Sequence, residues 1–231
     1  VPTIVYVCGG FTVAEWPDYL GLRGRHGLSL GYAFGVANVR GGGEFGPAWH
    51  QAAILKNKHK SVDDLLAVVH DLHARGLSTA AQTGLQGGSN GGLMVLAAMV
   101  NAPDSVGAVV AEVPLADMLR YPHLSSGASW LAEFGDPHSE DEDQQRALYD
   151  LSPYHRIAHQ RTYPATLLTT SLSDDRVHPA HAFKTYARLQ QLEQASWLYC
   201  PEDGGHSGNS TQEELADETA VIMTFFAKQL A

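Results

Sequence analysis

Short apolar runs alternate along this chain with longer stretches whose apolar positions recur every three or four residues. The first kind suits buried strands and the second suits helices with one face inward. PTIVYV (2–7) and YAFGVANV (32–39) predict two strands. SVDDLLAVVHDLHARG (61–76) predicts a helix with Leu65, Val68, Val69 and Leu72 on one face, Ser61 as its N-cap and Gly76 as its stop. TGLQG (83–87) then reads as a third strand, GLMVLAAMVNAP (92–103) as a helix ending before Pro103, VGAVVAEV (106–113) as a fourth strand and PATLLTTS (164–171) as a fifth. HPAHAFKTYARLQQLE (178–193), SWLYC (196–200) and QEELADETAVIMTFFAKQL (212–230) complete the series as helix, strand and closing helix. Residues 114–162 break the rhythm and read as an insertion of short helices and loops. This alternation predicts an α/β domain with a mostly parallel sheet and helices on both faces.

Composition narrows the classes. With 231 residues, 44% hydrophobic and 17% charged, the chain can bury a sizeable core as one domain. A formal charge of −10 without Lys/Arg runs argues against nucleic acid or an anionic membrane as partner, since both require a basic face. No apolar run approaches a membrane span. Two distant cysteines, Cys8 and Cys200, make no disulfide framework and fit a reducing compartment; the cytoplasm is favoured over the periplasm. The chain opens on a strand-like segment with neither an initiator Met nor a signal peptide, which reads as a piece of a longer protein.

The candidate chemistry centres on LQGGSNGG (85–92), a single serine among four glycines between strand 83–87 and helix 92–103. Gly87, Ser89 and Gly91 fit G-x-S-x-G, the strained strand-to-helix turn that presents a serine hydroxyl at the end of a sheet. A glycine-rich turn with no catalytic role is the competing reading. A serine nucleophile needs a base and a group to orient that base. In α/β-hydrolases these follow as Ser, Asp or Glu, then His, each after a strand. The fifth predicted strand runs into SLSDDRV, offering Asp174 or Asp175, and the last into CPEDGGHSG, offering His206 on a glycine-flanked loop. The other histidines are poorer candidates: His70 and His73 lie in a predicted helix, and His178 and His181 open one.

Several longer stretches resemble the prolyl oligopeptidase family of serine peptidases: RGGGEFGPAWH (40–50), GGSNGG (87–92), PLADMLRY (114–121), SWLAEFGDP (129–137), TYPATL (162–167) and SDDRVHP (173–179). The resemblance implies an α/β-hydrolase catalytic domain over 1–231 that lacks the fold's first strands, with a β-propeller encoded upstream. It implies a Ser89–Asp174–His206 triad, with Asp174 preferred because it is the first aspartate of DDRV. By the same resemblance Asn90 gives its backbone N–H to the oxyanion, Arg176 binds a substrate carbonyl, and Trp130 packs its indole on a proline ring before the cut. Phe134, Val177 and Phe11 match apolar pocket positions, Phe134 where tyrosine is common. Neither metal nor cofactor is implied, and the partner is a short peptide.

One position departs from the family. A tyrosine whose hydroxyl is the second oxyanion donor usually precedes Gly-Gly-Phe, and here that position is Cys8, a weak donor. Either Cys8 or a backbone N–H of Gly9 or Gly10 replaces the hydroxyl, or turnover is slow. Competing readings are kept for three other positions: Trp130 as plain core, Arg176 as a salt bridge to Asp175, and Glu44 with Arg40 as an internal ion pair in the RGGGEFG loop. Alternatives for the whole chain are an esterase or a peptidase of other specificity, and a weakly active or non-catalytic homologue that binds rather than cuts.

Overall fold

A computed structural model of the chain describes residues 1–201, 204–206 and 211–230. Its strands are β1 (Thr3–Val7), β2 (Ala33–Ala37), β3 (Thr83–Gly88), β4 (Ala108–Glu112), β5 (Ala165–Thr169) and β6 (Ser196–Tyr199). All neighbours pair in parallel, in the order β2-β1-β3-β4-β5-β6. Each of the six predicted strands is therefore present; β3 runs one residue further than predicted, to Gly88, and the others end within two residues of the predicted bounds. The helices are α1 (Gly21–Ser29), α2 (Pro47–Gln51), α3 (His59–Ala74), α4 (Asn90–Asn101), α5 (Leu131–Phe134), α6 (Glu142–Leu151), α7 (Pro153–Arg156), α8 (Ala180–Gln191) and α9 (Gln212–Gln229).

Alternation along the strands feeds two cores. Ile4, Ala108, Val110 and Leu167 pack with Ile222, Met223 and Phe226 of α9, while Val5, Val7, Val109, Ala111 and Leu168 pack with α3, α4 and α8. A parallel sheet covered on both faces leaves no solvated side, which is why its strands read as continuous apolar runs. Helix α4, apolar all round, is buried from Asn90 through Val100.

Of the two ends expected for α3, the start differs and the stop holds. α3 begins at His59, so Ser61 lies inside the helix, where its Oγ donates to Arg40 O at 2.6 Å instead of capping. Gly76 does end α3: at φ 67° it lets Gly76 N–H reach His73 O and Leu77 N–H reach Leu72 O. α1 left no apolar signature in the sequence. It buries two of its three glycines, Gly24 and Gly27, the latter against the Phe34 ring, so close approach and not a broad apolar face holds it.

Candidate active site

Ser89 occupies the turn between β3 and α4 at φ 54° and ψ −114°, a conformation that costs a non-glycine residue on the order of 1–3 kcal/mol. The surroundings enforce it. Ser89 N–H donates to Glu112 O of β4 at 2.8 Å, and Ser89 O accepts from Leu93 N–H at 3.2 Å. A Cβ on Gly91 would collide with the carbonyl oxygen of Val7, and one on Gly87 would come within 2.5 Å of the Gly91 backbone. The glycines flank the serine because β1 and the start of α4 approach too closely for side chains. Asn90, the first residue of α4, carries one of the N–H groups that have no intrahelical acceptor.

Asp174 and His206 meet beyond the ends of β5 and β6, with His206 Nδ1 3.0 Å from Asp174 Oδ2. The other carboxylate oxygen, Oδ1, accepts the backbone N–H groups of Arg176 (3.0 Å) and Val177 (2.8 Å). Asp174 is buried and Asp175 exposed, so the first aspartate of DDRV is the one that holds the histidine. Ser89, Asp174 and His206 all follow C-terminal strand ends, which places them along one edge of the sheet. Among the described residues no hydrogen bond joins Ser89 to His206. Glu202, Asp203 and 207–210 of the predicted His206 loop lie outside the described residues.

The predicted apolar pocket residues come together. The Phe11 ring lies 6.4 Å from Trp130 and 5.6 Å from Phe134, both edge-on, and Phe134 lies 5.5 Å from Tyr121. Trp130, Phe134 and Val177 are buried, and Phe11 is half-buried. Arg176 is exposed, and no ion pair to Asp175 is present among the described residues. The expected Arg40–Glu44 pair is also replaced. Arg40 pairs with Asp64, Nη2 to Oδ1 at 2.6 Å and Nε to Oδ2 at 2.8 Å, while Glu44 Oε1 accepts from Glu15 N–H and Asn38 Nδ2. The RGGGEFG loop packs on the residues after β1: at Gly41, φ 101°, a Cβ would lie 2.6 Å from Gly9 O.

The loop of residues 8–11 is gripped by side chains from three elements. Asn90 Nδ2 donates to Cys8 O at 2.6 Å, Lys58 Nζ donates to Gly9 O at 2.9 Å, and Phe11 N–H donates to Glu133 Oε1 at 3.2 Å. Lys58 and Glu133 are themselves a buried ion pair at 2.6 Å, and Glu133 Oε2 lies 2.7 Å from His50 Nε2. Burial works to raise the Glu133 carboxyl, but the charge and hydrogen bond of Lys58, then His50 and Phe11, carry it below the usual carboxylate range. Burial pulls the Lys58 ammonium down, and Glu133 opposes it. Nothing in the sequence singled out Lys58, because KNKHKS (56–61) reads as a solvated charge run. Burial likewise pushes the Cys8 thiol up to about 11, so it stays protonated at neutral pH.

A parallel sheet wrapped by helices, with a serine at a strained strand-to-helix turn and an Asp–His pair two strands away, defines an α/β-hydrolase fold. The chain belongs to the prolyl oligopeptidase family of peptidases, whose profile matches residues 25–231. It is 39% identical to an uncharacterized peptidase of Sinorhizobium fredii over 99% of this chain and 31% of that protein. It superposes on a prolyl endopeptidase, solved in work on inter-domain dynamics in two such enzymes, with TM-score 0.95 and 36% identity over 99% of this chain and 34% of that one. A post-proline cleaving enzyme from Rickettsia typhi matches with TM-score 0.94 and 33% identity over 99% and 33%. The chain thus spans about a third of the length of these relatives. Among the described residues no helix is long and apolar enough to cross a membrane.

Proposed function

We propose that this chain carries the catalytic site of a serine peptidase that cleaves short peptides after proline. The observation that carries this reading is the Asp174–His206 pair, oriented by two backbone N–H groups, on the sheet edge where Ser89 sits in its strained turn. In this mechanism Ser89 Oγ attacks the scissile carbonyl while its proton passes to His206 Nε2. The tetrahedral intermediate collapses to an acyl-serine ester as His206 returns the proton to the leaving amine, and a water molecule activated by His206 then hydrolyses the ester. Asp174 holds the imidazole with Nδ1 protonated and stabilises its cationic form. The Asn90 N–H, at the positive end of α4, faces the developing oxyanion. Catalytic geometry in an unliganded site is often loose and tightens with substrate, so the Ser89–His206 hydrogen bond forms in the peptide complex. An upstream β-propeller that restricts entry belongs to the same proposal, and the relatives' threefold greater length leaves room for it.

Proline preference is assigned to the aromatic group of Trp130, Phe11 and Phe134, which offers a flat apolar wall to a pyrrolidine ring. Glu133, the acidic group nearest this cluster in sequence, is already paired with Lys58. With Gly-Pro and Gly-Arg chromogenic substrates, the proline compound is expected to have the higher kcat/KM. Trp130→Ala should narrow the gap about tenfold, the equivalent of roughly 1.4 kcal/mol of ring contact. A parent enzyme that cuts faster after arginine would contradict the assignment.

Cys8 takes the second oxyanion position in this reading. Its high pKa keeps the S–H available as a donor, though a weak one. Cys8→Tyr is expected to raise kcat with little change in KM, because a hydroxyl bond to the oxyanion strengthens mainly in the transition state. The ceiling is about 10²–10³, the usual worth of one oxyanion donor. Crowding of a ring into a site that now holds a small side chain lowers the gain. An unchanged kcat would show that the position does not face the reacting carbonyl.

A further inference from the structure

We propose that Lys58 and Glu133 are positioning residues for the peptide site, binding the loop of residues 8–11 and the Trp130–Phe134 segment into one preassembled unit. The inference rests on the serine peptidase reading above, and it assigns work to a pair that lies outside the triad, one member of which, Lys58, no sequence motif marked.

The geometry has three parts. Lys58 reaches from just before α3 and donates to Gly9 O at 2.9 Å and to Glu133 Oε1 at 2.6 Å. The same Oε1 accepts the Phe11 N–H at 3.2 Å, so one carboxylate oxygen ties the lysine to the loop residue whose ring touches both Trp130 and Phe134. Glu133 sits in α5 beside Phe134, and the Lys58 ammonium lies 5.6 Å from that ring's centre. Bonds at Gly9 and Phe11 bracket Gly10, where a Cβ would come within 2.9 Å of Lys58 Nζ and 2.6 Å of Asn90 Nδ2. Gly10 is thus pressed between the residue following Ser89 and the buried lysine. This clamp joins the oxyanion side of the site to its aromatic side.

A buried ion pair is a poor device for stability alone. Apolar or neutral replacements of both partners are often neutral or stabilising, while removal of one partner is costly. What the pair supplies that a hydrocarbon contact cannot is direction, since Nζ and Oε1 hold two backbone groups at fixed places. Misplacement of reacting groups by about 1 Å can cost on the order of 10²-fold in rate.

The test uses the full-length protein and compares Gly-Pro with Gly-Ala substrates, alongside fluorophosphonate labelling and thermal melting. Lys58→Met should lower the Tm and reduce kcat/KM for both substrates, by roughly 10²-fold for proline and less for alanine, so that the Pro/Ala ratio falls. The double variant Lys58→Met/Glu133→Gln removes the uncompensated charge and should recover the Tm while the Pro/Ala ratio stays low. Glu133→Asp keeps the charge but withdraws the carboxylate by one methylene, and it too should lower the ratio. A double variant that regains the parental Pro/Ala ratio, or a Glu133→Asp protein that keeps it, overturns the positioning role. A parent protein that fails to label, or that shows no preference for proline, overturns instead the peptidase reading on which the inference stands.

Discussion

Ser89→Ala is expected to abolish peptide hydrolysis, with kcat falling by on the order of 10⁶, the scale of loss when the nucleophile of a Ser-His-Asp unit is removed. The fold should survive, because alanine retains the Cβ that already fits the turn and the backbone bond from Ser89 N–H to Glu112 O is kept. A second variant separates chemistry from strain. Ser89 holds φ 54° against its preference, whereas glycine adopts such angles freely. Ser89→Gly should therefore be as inactive as the alanine variant yet more stable, by about 1 kcal/mol or a few degrees in Tm. Fluorophosphonate labelling and thermal melting of the three proteins decide the matter. Persistent labelling of the alanine variant removes Ser89 as nucleophile.

Asp174→Asn should cost about 10⁴ in kcat with little effect on folding, and the reason is specific to this loop. Oδ1 of Asp174 accepts two backbone N–H groups, from Arg176 and Val177, and only an oxygen can fill that place. The amide nitrogen of an asparagine must then take the Oδ2 position, 3.0 Å from His206 Nδ1. It would donate to Nδ1 and force the proton onto Nε2, the wrong tautomer for accepting the Ser89 proton. Asp175, exposed and without an ion pair to Arg176 among the described residues, supplies the control: Asp175→Asn should stay within a few-fold of the parent. Equal losses in the two variants would mean that the aspartates act through the charge of the loop and that neither orients the histidine.

The two variants probe parts of the site that are legible to different degrees in the sequence. Ser89 announced itself through local chemistry, since glycines at 87 and 91 are needed wherever chains pass within van der Waals reach, and a motif records that need in consecutive residues. The six strands were visible for a similar reason. A sheet covered on both faces demands unbroken apolar runs, so β1 through β6 are each written as a single short segment. Asp174 and His206 were reachable by order along the chain and by their places after strands. The choice of Asp174 over Asp175 needed either the family resemblance or the fold, because both are aspartates one residue apart and only burial separates them.

Other features left no trace in the local pattern. Helix α1 packs through Gly24 and Gly27, so its inward face carries no apolar periodicity to detect. Ser61 looked like a cap because its type favours caps, but α3 starts earlier and the hydroxyl serves Arg40 O instead. Arg40 and Glu44 are four residues apart and of opposite charge, yet each found its partners elsewhere, on Asp64 and on Glu15 with Asn38. Charge partners are chosen by where the backbone delivers them, and proximity in sequence is only one route.

The sequence by itself determined the layered α/β class, the strand order along the chain, the nucleophile candidate with its histidine, and the family, because each depends on residue type at short range or on the order of segments. The tertiary structure alone decided that Phe11, Trp130 and Phe134 form one aromatic group and that Lys58 is buried against Glu133 beneath the loop after β1, and it set Asp174, already preferred by the family resemblance, 3.0 Å from His206 Nδ1. The physical reason is range. Lys58 and Glu133 are 75 residues apart, and a charge's cost or worth depends on its distance to a partner and on exclusion of water, neither of which exists until the sheet has brought β1, α3 and α5 together.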